Sequence, residues 1–298
     1  KYINFSSLKA NREHFIQPML DNDIKMDLII GNHDTYYKNT NEVNSMEELV
    51  GKDRCNIYTG PEVVEFDGVP IQFIPWINAN NYDESMTALS RSPAQIAMGH
   101  LEVNGFEMHK GHFADGSYDK ELFRRFDIVM SGHFHHKSDD GQIYYLGTPY
   151  EIYWNDFEDP KGFHIYDTET KTLERIVNPF TIYEKIYYDD TKENYLEHDI
   201  TKYQNKYVKL IVVNKKDLYQ FDQFLDKLYK ADAFDIKIVE DFSDLDASTV
   251  SDDIVNNTED TVTLLNRYID DLSIDLSKDR LKDQMRSLYV EAQDLDLE

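Results

Sequence analysis

The 298-residue sequence contains a single cysteine, Cys55. One thiol cannot close an internal disulfide, so a disulfide-stapled secreted scaffold is excluded. The composition fits a reducing, intracellular setting. Long apolar runs are also missing, and nothing approaches the roughly 18 residues that a membrane-spanning helix needs. The first residues, KYINFSSLKANREHF, carry no apolar stretch after their charge and do not read as a signal peptide. Positive charge is scarce, with 31 Lys and Arg against 57 Asp and Glu, a net charge of −26. The deficit runs along the whole length, 29 acidic against 16 basic over residues 1–180 and 28 against 15 over residues 181–298. It is therefore a property of the surface and not of a tail. That balance argues against a protein that grips nucleic acid through its own basic face, so a polyanionic substrate must be held by bound metal or by a partner. No Walker A sequence is present, and any ATP dependence must come from another subunit.

What is present is core material: 41% of the residues are hydrophobic and 13% aromatic, including 21 Tyr and 16 Phe, which is a globular composition. Residues 5–20 and 45–51 read as helices. A short buried strand at 25–30 runs into Gly31-Asn32-His33-Asp34. Segments 63–66 and 69–74 flank Asp67-Gly68, a strong hairpin signal. Further short strands are expected at 95–98, 128–130, 143–146 and 162–166. After Asn178-Pro179 the pattern changes to strand 207–213, a helix with Leu218, Phe221, Leu225 and Leu228 on one stripe, and a strand alternating at Phe234, Ile236 and Ile238. Residues 240–260 hold eight acidic residues and no basic one and read as a linker. Two amphipathic helices are expected beyond it.

Six of the ten histidines lie between positions 100 and 136. Three motifs follow apolar strands: Gly31-Asn32-His33-Asp34, Gly99-His100 and Gly132-His133-Phe134-His135. Imidazoles suit Mn, Fe or Zn, and an amide oxygen suits a harder ion. Glycine lets the chain turn sharply at a strand end, so that the next side chain faces a shared centre. His133 and His135, two residues apart, can both reach such a centre if the segment leaves strand geometry or if they serve two adjacent metals. His109, His112 and His136 lie near the motifs, with bland roles favoured, while Glu102 and Asn104 suit a cleft lining and a turn equally. The Tyr36-Tyr37 pair is more readily a packing feature than a base-stacking one.

Taken in order, the three motifs resemble those of the calcineurin-like metallophosphoesterases. The stretches Ile74-Pro75-Trp76, GHLEVNGF, YLGTPY and DPKGFHIYDTET are similar to the DNA double-strand-break repair nucleases, of the bacterial SbcD type and of T-even phages. That resemblance implies an α/β fold, a β-sandwich flanked by helices with a small α/β capping domain and C-terminal helices. It implies residues 1–180 as nuclease domain, 181–240 as capping domain, 241–258 as acidic linker and 259–298 as a helical segment that binds an SbcC-type coiled-coil ATPase. Asn32, His100 and His133 would bind one divalent metal and His135 the other, with manganese preferred over Mg, Fe or Zn. His33 would protonate the leaving oxygen or steady the transition state, and Asp34 would orient His33. DNA is the implied substrate, and a homodimer through the helices near residues 5–20 and 45–51 the implied assembly.

The family pattern opens with Asp-x-His and Gly-Asp-x-x-Asp, and neither occurs here. The expectation is an N-terminally incomplete chain that holds at most one metal and is inactive as written. Alternatives left open are a phosphodiesterase for nucleotides or small molecules and a non-catalytic binding protein.

Overall fold

The computed structural model describes residues 3–50, 55–109, 112–115, 118–239 and Lys278. The expected acidic linker and the helical segment after it lie, Lys278 apart, outside the described residues. The chain divides into two compact units, Lys1–Tyr183 and Glu184–Glu298.

The first unit opens with helix α1 (Phe5–Asn11), a π-helical stretch at Arg12–Ile16, and α2 (Gln17–Asp21). One helix was expected over residues 5–20. The widened turn has a local cause, since Pro18 has no N–H to give to the preceding turn. Ile16 packs with Met26, Leu28, Met46, Val50, Cys55 and Ile57, which lays the helix against β1 (Asp27–Ile29), α3 (Ser45–Leu49) and β2 (Asn56–Tyr58). Strands β1 and β2 pair in parallel.

Next come β3 (Glu62–Phe66) and β4 (Val69–Ile74), an antiparallel hairpin. Its turn holds Asp67 and Gly68 at φ 51 and φ 80, a left-handed pair that glycine and aspartate tolerate. Helix α4 (Tyr82–Arg91), β5 (Ile96–His100), the small pair β6 (Glu107–His109) and β7 (His112–Phe113), and β8 (Ile128–Gly132) follow. Then come β9 (Ser138–Asp139) and β10 (Ile143–Tyr145), and finally the antiparallel hairpin of β11 (Gly162–Asp167) and β12 (Thr172–Val177).

The main sheet has the order β3-β4-β5-β8-β10-β9. Its four inner strands β4, β5, β8 and β10 run parallel, while β3 and β9 cover the edges in antiparallel pairing. Parallel strands are buried on both faces, and two clusters show this. Ile71, Phe73, Ile96 and Met130 meet Ile29, Tyr58, Tyr166 and Leu173 from the smaller sheets. On the opposite face Ile74, Ala97, Val129 and Ile143 meet Leu89 of α4 with Phe106, Phe123 and Phe126. The unit is mixed α/β, as expected, with every inner strand pointing its C-terminal end the same way.

The second unit is built on a three-stranded sheet, β13 (Tyr183–Asp189), β14 (Tyr207–Asn214) and β15 (Asp235–Val239), in that order. Strands β14 and β15 pair in parallel and are joined by α5 (Leu218–Leu228), which Asp217 caps by accepting from the Gln220 N–H at 3.0 Å. The expected stripe of α5 is shifted. Phe221, Phe224 and Leu228 are buried, while Leu218 at the first helical position is exposed. Phe234 likewise stands outside the strand and exposed.

Candidate metal centre

The motif residues sit at the C-terminal ends of parallel strands, where α/β sheets place ligands. Beyond β1, Gly31 starts a turn whose N–H donates to Asp34 Oδ2 at 2.8 Å. Ser45 closes the same turn from α3, donating its hydroxyl to Asp34 Oδ1 at 3.3 Å. Asp34 therefore braces the loop that carries Asn32 and His33. A Cβ at Gly31 would lie 2.7 Å from His100 Cε1, so only glycine lets the loop and the His100 ring approach as they do.

Strand β5 ends on His100, and its Nε2 stands 2.9 Å from Asn32 Oδ1. His133, just past β8, brings Nδ1 to 3.3 Å from the same His100 nitrogen. Three donor atoms from three strand ends thus converge. Trp76 closes one side, its ring centroid 5.3 Å from that of His133 and 6.1 Å from that of His100. It also ties strands together, since its N–H donates to the Ile30 carbonyl at 2.8 Å and its own carbonyl accepts from Asn41 and Asn81. Burial, helped by the neighbouring imidazoles of His133, His33 and His135, pushes His100 down to about 3. Burial also lowers His133, against the opposing pull of Glu102, whose carboxylate lies 3.9 Å from His133 Nε2. Both rings are held neutral, the form in which imidazole is a ligand.

Phe134 explains how His133 and His135 both reach the cleft. It is buried and stacks on Tyr145 with centroids 4.4 Å apart. His133 meanwhile adopts φ 88, outside strand geometry. A strained residue costs about 1–3 kcal/mol, and burying a Phe contributes about 1.5–3 kcal/mol, so the core contact can hold the distortion. The Tyr145 hydroxyl accepts from the Val103 N–H at 2.8 Å and donates to the Leu101 carbonyl at 3.0 Å, fixing the loop after His100.

His135 lies beyond the trio, its ring stacked on Tyr153 at 5.5 Å with 4° between planes. Its Nδ1 faces Asp156 Oδ2 at 3.5 Å. A cavity of 230 Å3 lined by Met108, His133, His135, Tyr153, Asn155 and Asp156 opens there. A larger one of 550 Å3 lies beside His33, Asp34, Tyr36 and Val43. Burial would raise Asp156, but hydrogen bonds with His135, Lys161 and the Ile152 and Tyr153 N–H groups prevail and hold it below the usual carboxylate range.

Trp76 was visible in the sequence only as part of a family stretch, and Tyr153, Asp156 and Lys161 were not singled out at all. The Lys161-Gly162 step in DPKGFHIYDTET was the available signal. His136 pairs with Asp159 at 2.9 Å and Glu107 at 3.5 Å, and the Asp159 bond raises it above an ordinary histidine. The side chains of His109 and His112 lie outside the described residues. His14 is exposed, and His198 bonds Glu193 and Tyr203. Tyr36 and Tyr37 are exposed and pack edge to face on each other.

The residues fit a cation. Ligand bonds of about 2.0–2.2 Å put neighbouring donors roughly 3 Å apart, the separation seen from His100 to its two companions. Among the described residues, no cluster of three His, Cys, Asp or Glu side chains is placed to hold an ion. The trio counts two imidazoles and an amide.

Across 297 aligned residues the chain is 32% identical to exonuclease subunit 1 of Enterobacteria phage T4, a span covering 98% of this chain and 84% of that protein. No family model matches the chain. Among the described residues, no helix is long and apolar enough to cross a membrane.

Proposed function

Since this chain belongs to the family of exonuclease subunit 1 of phage T4, we propose that it is the nuclease subunit of a DNA break-repair and recombination complex, a phosphodiesterase of calcineurin-like type that uses two divalent metals. The observation that carries the reading is the convergence of Asn32 Oδ1 and His133 Nδ1 on His100 Nε2 at 2.9 and 3.3 Å. Asn32, His100 and His133 hold one cation, and His135 contributes to the other. When bound, the cations, manganese by preference, lower the pKa of water and neutralise charge on the phosphate.

His33 projects from a loop braced by Asp34, close enough to His100 and His133 to disfavour a proton on each. It delivers a proton to the leaving oxygen or steadies the charge of the transition state. Trp76 and the buried loop after His100 keep water off one side of the centre.

A chain of net charge −26 leaves long-range DNA attraction to a partner. We assign that part to an SbcC-type coiled-coil ATPase bound through residues 259–298, with a homodimer through the first helices.

Parallel assays of linear duplex DNA and a chromogenic phosphodiester in manganese test the reading. Preference for duplex DNA that is lost in His133→Ala supports it. Hydrolysis of the small ester alone would make the protein a small-substrate phosphodiesterase instead.

A further inference from the structure

We propose that Lys161, clamped between Asp156 and Asp159, is a positioning residue for His135, fixing the imidazole so that Nε2 is the nitrogen offered to a cation. The proposal rests on the metal-centre reading above. An ammonium taken out of water costs several kcal/mol unless its donors are matched, and here the Lys161 side chain is only 3% exposed. Its three N–H donors have three acceptors: Asp156 Oδ1 at 2.7 Å, Asp159 Oδ2 at 2.7 Å and the His135 carbonyl at 2.9 Å. One of the three bonds therefore goes directly to the backbone of His135.

The two carboxylates extend the hold to the side chains. Asp156 Oδ2 accepts from the Ile152 and Tyr153 N–H groups at 2.8 and 3.0 Å and faces His135 Nδ1 at 3.5 Å. The same oxygen thus sets the turn that lays the Tyr153 ring flat on the imidazole. Asp159 Oδ1 meets Nδ1 of the next residue, His136, at 2.9 Å. The Thr148 N–H adds a second donor to the His135 carbonyl at 3.2 Å. Backbone, face and one edge of the imidazole are all referred to this cluster, and the remaining edge carries Nε2. A lysine that merely neutralised two carboxylates would have no need to bond His135.

The test uses the whole 298-residue chain labelled with 15N-histidine. Ring spectra in chelator report which His135 nitrogen carries the proton, and manganese titration reports binding by broadening of the same signals. The wild type is expected to hold the proton on Nδ1. Lys161→Met should spread it over both nitrogens and weaken manganese binding at His135 about tenfold or more, while Lys161→Arg restores both. If Lys161→Met does not fold, Asp156→Asn, which keeps the volume, carries the test. A folded variant with wild-type tautomer and wild-type binding overturns the proposal, and manganese bound at His135 in that variant leaves the metal reading standing. A tautomer bias that is lost in the variants, with no manganese response at His135 even in the wild type, supports the positioning role and overturns the metal reading for His135.

Discussion

Asn32 Oδ1 and His100 Nε2 stand 2.9 Å apart across 68 residues of sequence. A glycine at position 31 makes that approach possible. Gly31→Ala would bring a Cβ to 2.7 Å from His100 Cε1 and 2.9 Å from Nδ1. The ring or the loop must then shift, at about 1–3 kcal/mol. Urea denaturation should show that loss, and manganese affinity should fall with it. Unchanged affinity would mean that His100 is not placed by this loop.

Acid should act on the apo protein through His100. Burial lowers it from 6.5 to about 3, so between those values the unfolded chain binds a proton that the folded one refuses. The stability tied to its neutral ring is complete above pH 6.5 and is lost as pH falls towards 3. Relative to His100→Gln, the wild type should lose up to about 1.4 kcal/mol per pH unit in that window. Denaturation in chelator at pH 7 and pH 5 measures the difference. With metal present, binding at the trio should persist below pH 6.5, where an ordinary histidine site would release it.

His33→Ala should lower cleavage by about 10²–10⁴-fold, the usual worth of a positioned acid, while metal stoichiometry stays that of the parent. Calorimetry on both proteins checks this. A metal lost on substitution would make His33 a ligand.

In the second unit, burial with Lys185 and Lys237 nearby brings Lys209 down to about 8. The folded state resists its charge, so stability should rise as pH climbs from about 8 towards 10.5. Lys209→Met should protect β14 amides from hydrogen exchange at pH 7, and the advantage should fade across that window. A constant advantage would assign the effect to packing alone.

The strand-end motifs were legible because strand, glycine and ligand are contiguous: β5 into Gly99-His100, β8 into Gly132-His133. The Asp67-Gly68 hairpin was legible for the same reason. Helix α4 was not read, since its buried residues are only Ser85 and Leu89, too thin a stripe to show a period. Asp156 and Lys161 escaped because each looks like a surface charge, and only the fold buries them against each other and beneath His135. The flanking role of Trp76 depends on contacts from three loops, and no local pattern encodes that.

The central claim is that Asn32, His100 and His133 form one metal centre, and manganese titration of the 298-residue chain by calorimetry tests it most directly. The described residues bring together two imidazoles and an amide without a carboxylate between cations. The prediction is a loose site at the trio, removed by Asn32→Ala, His100→Ala or His133→Ala alike and distinct from the manganese held at His135. A titration left unchanged by all three substitutions would contradict it.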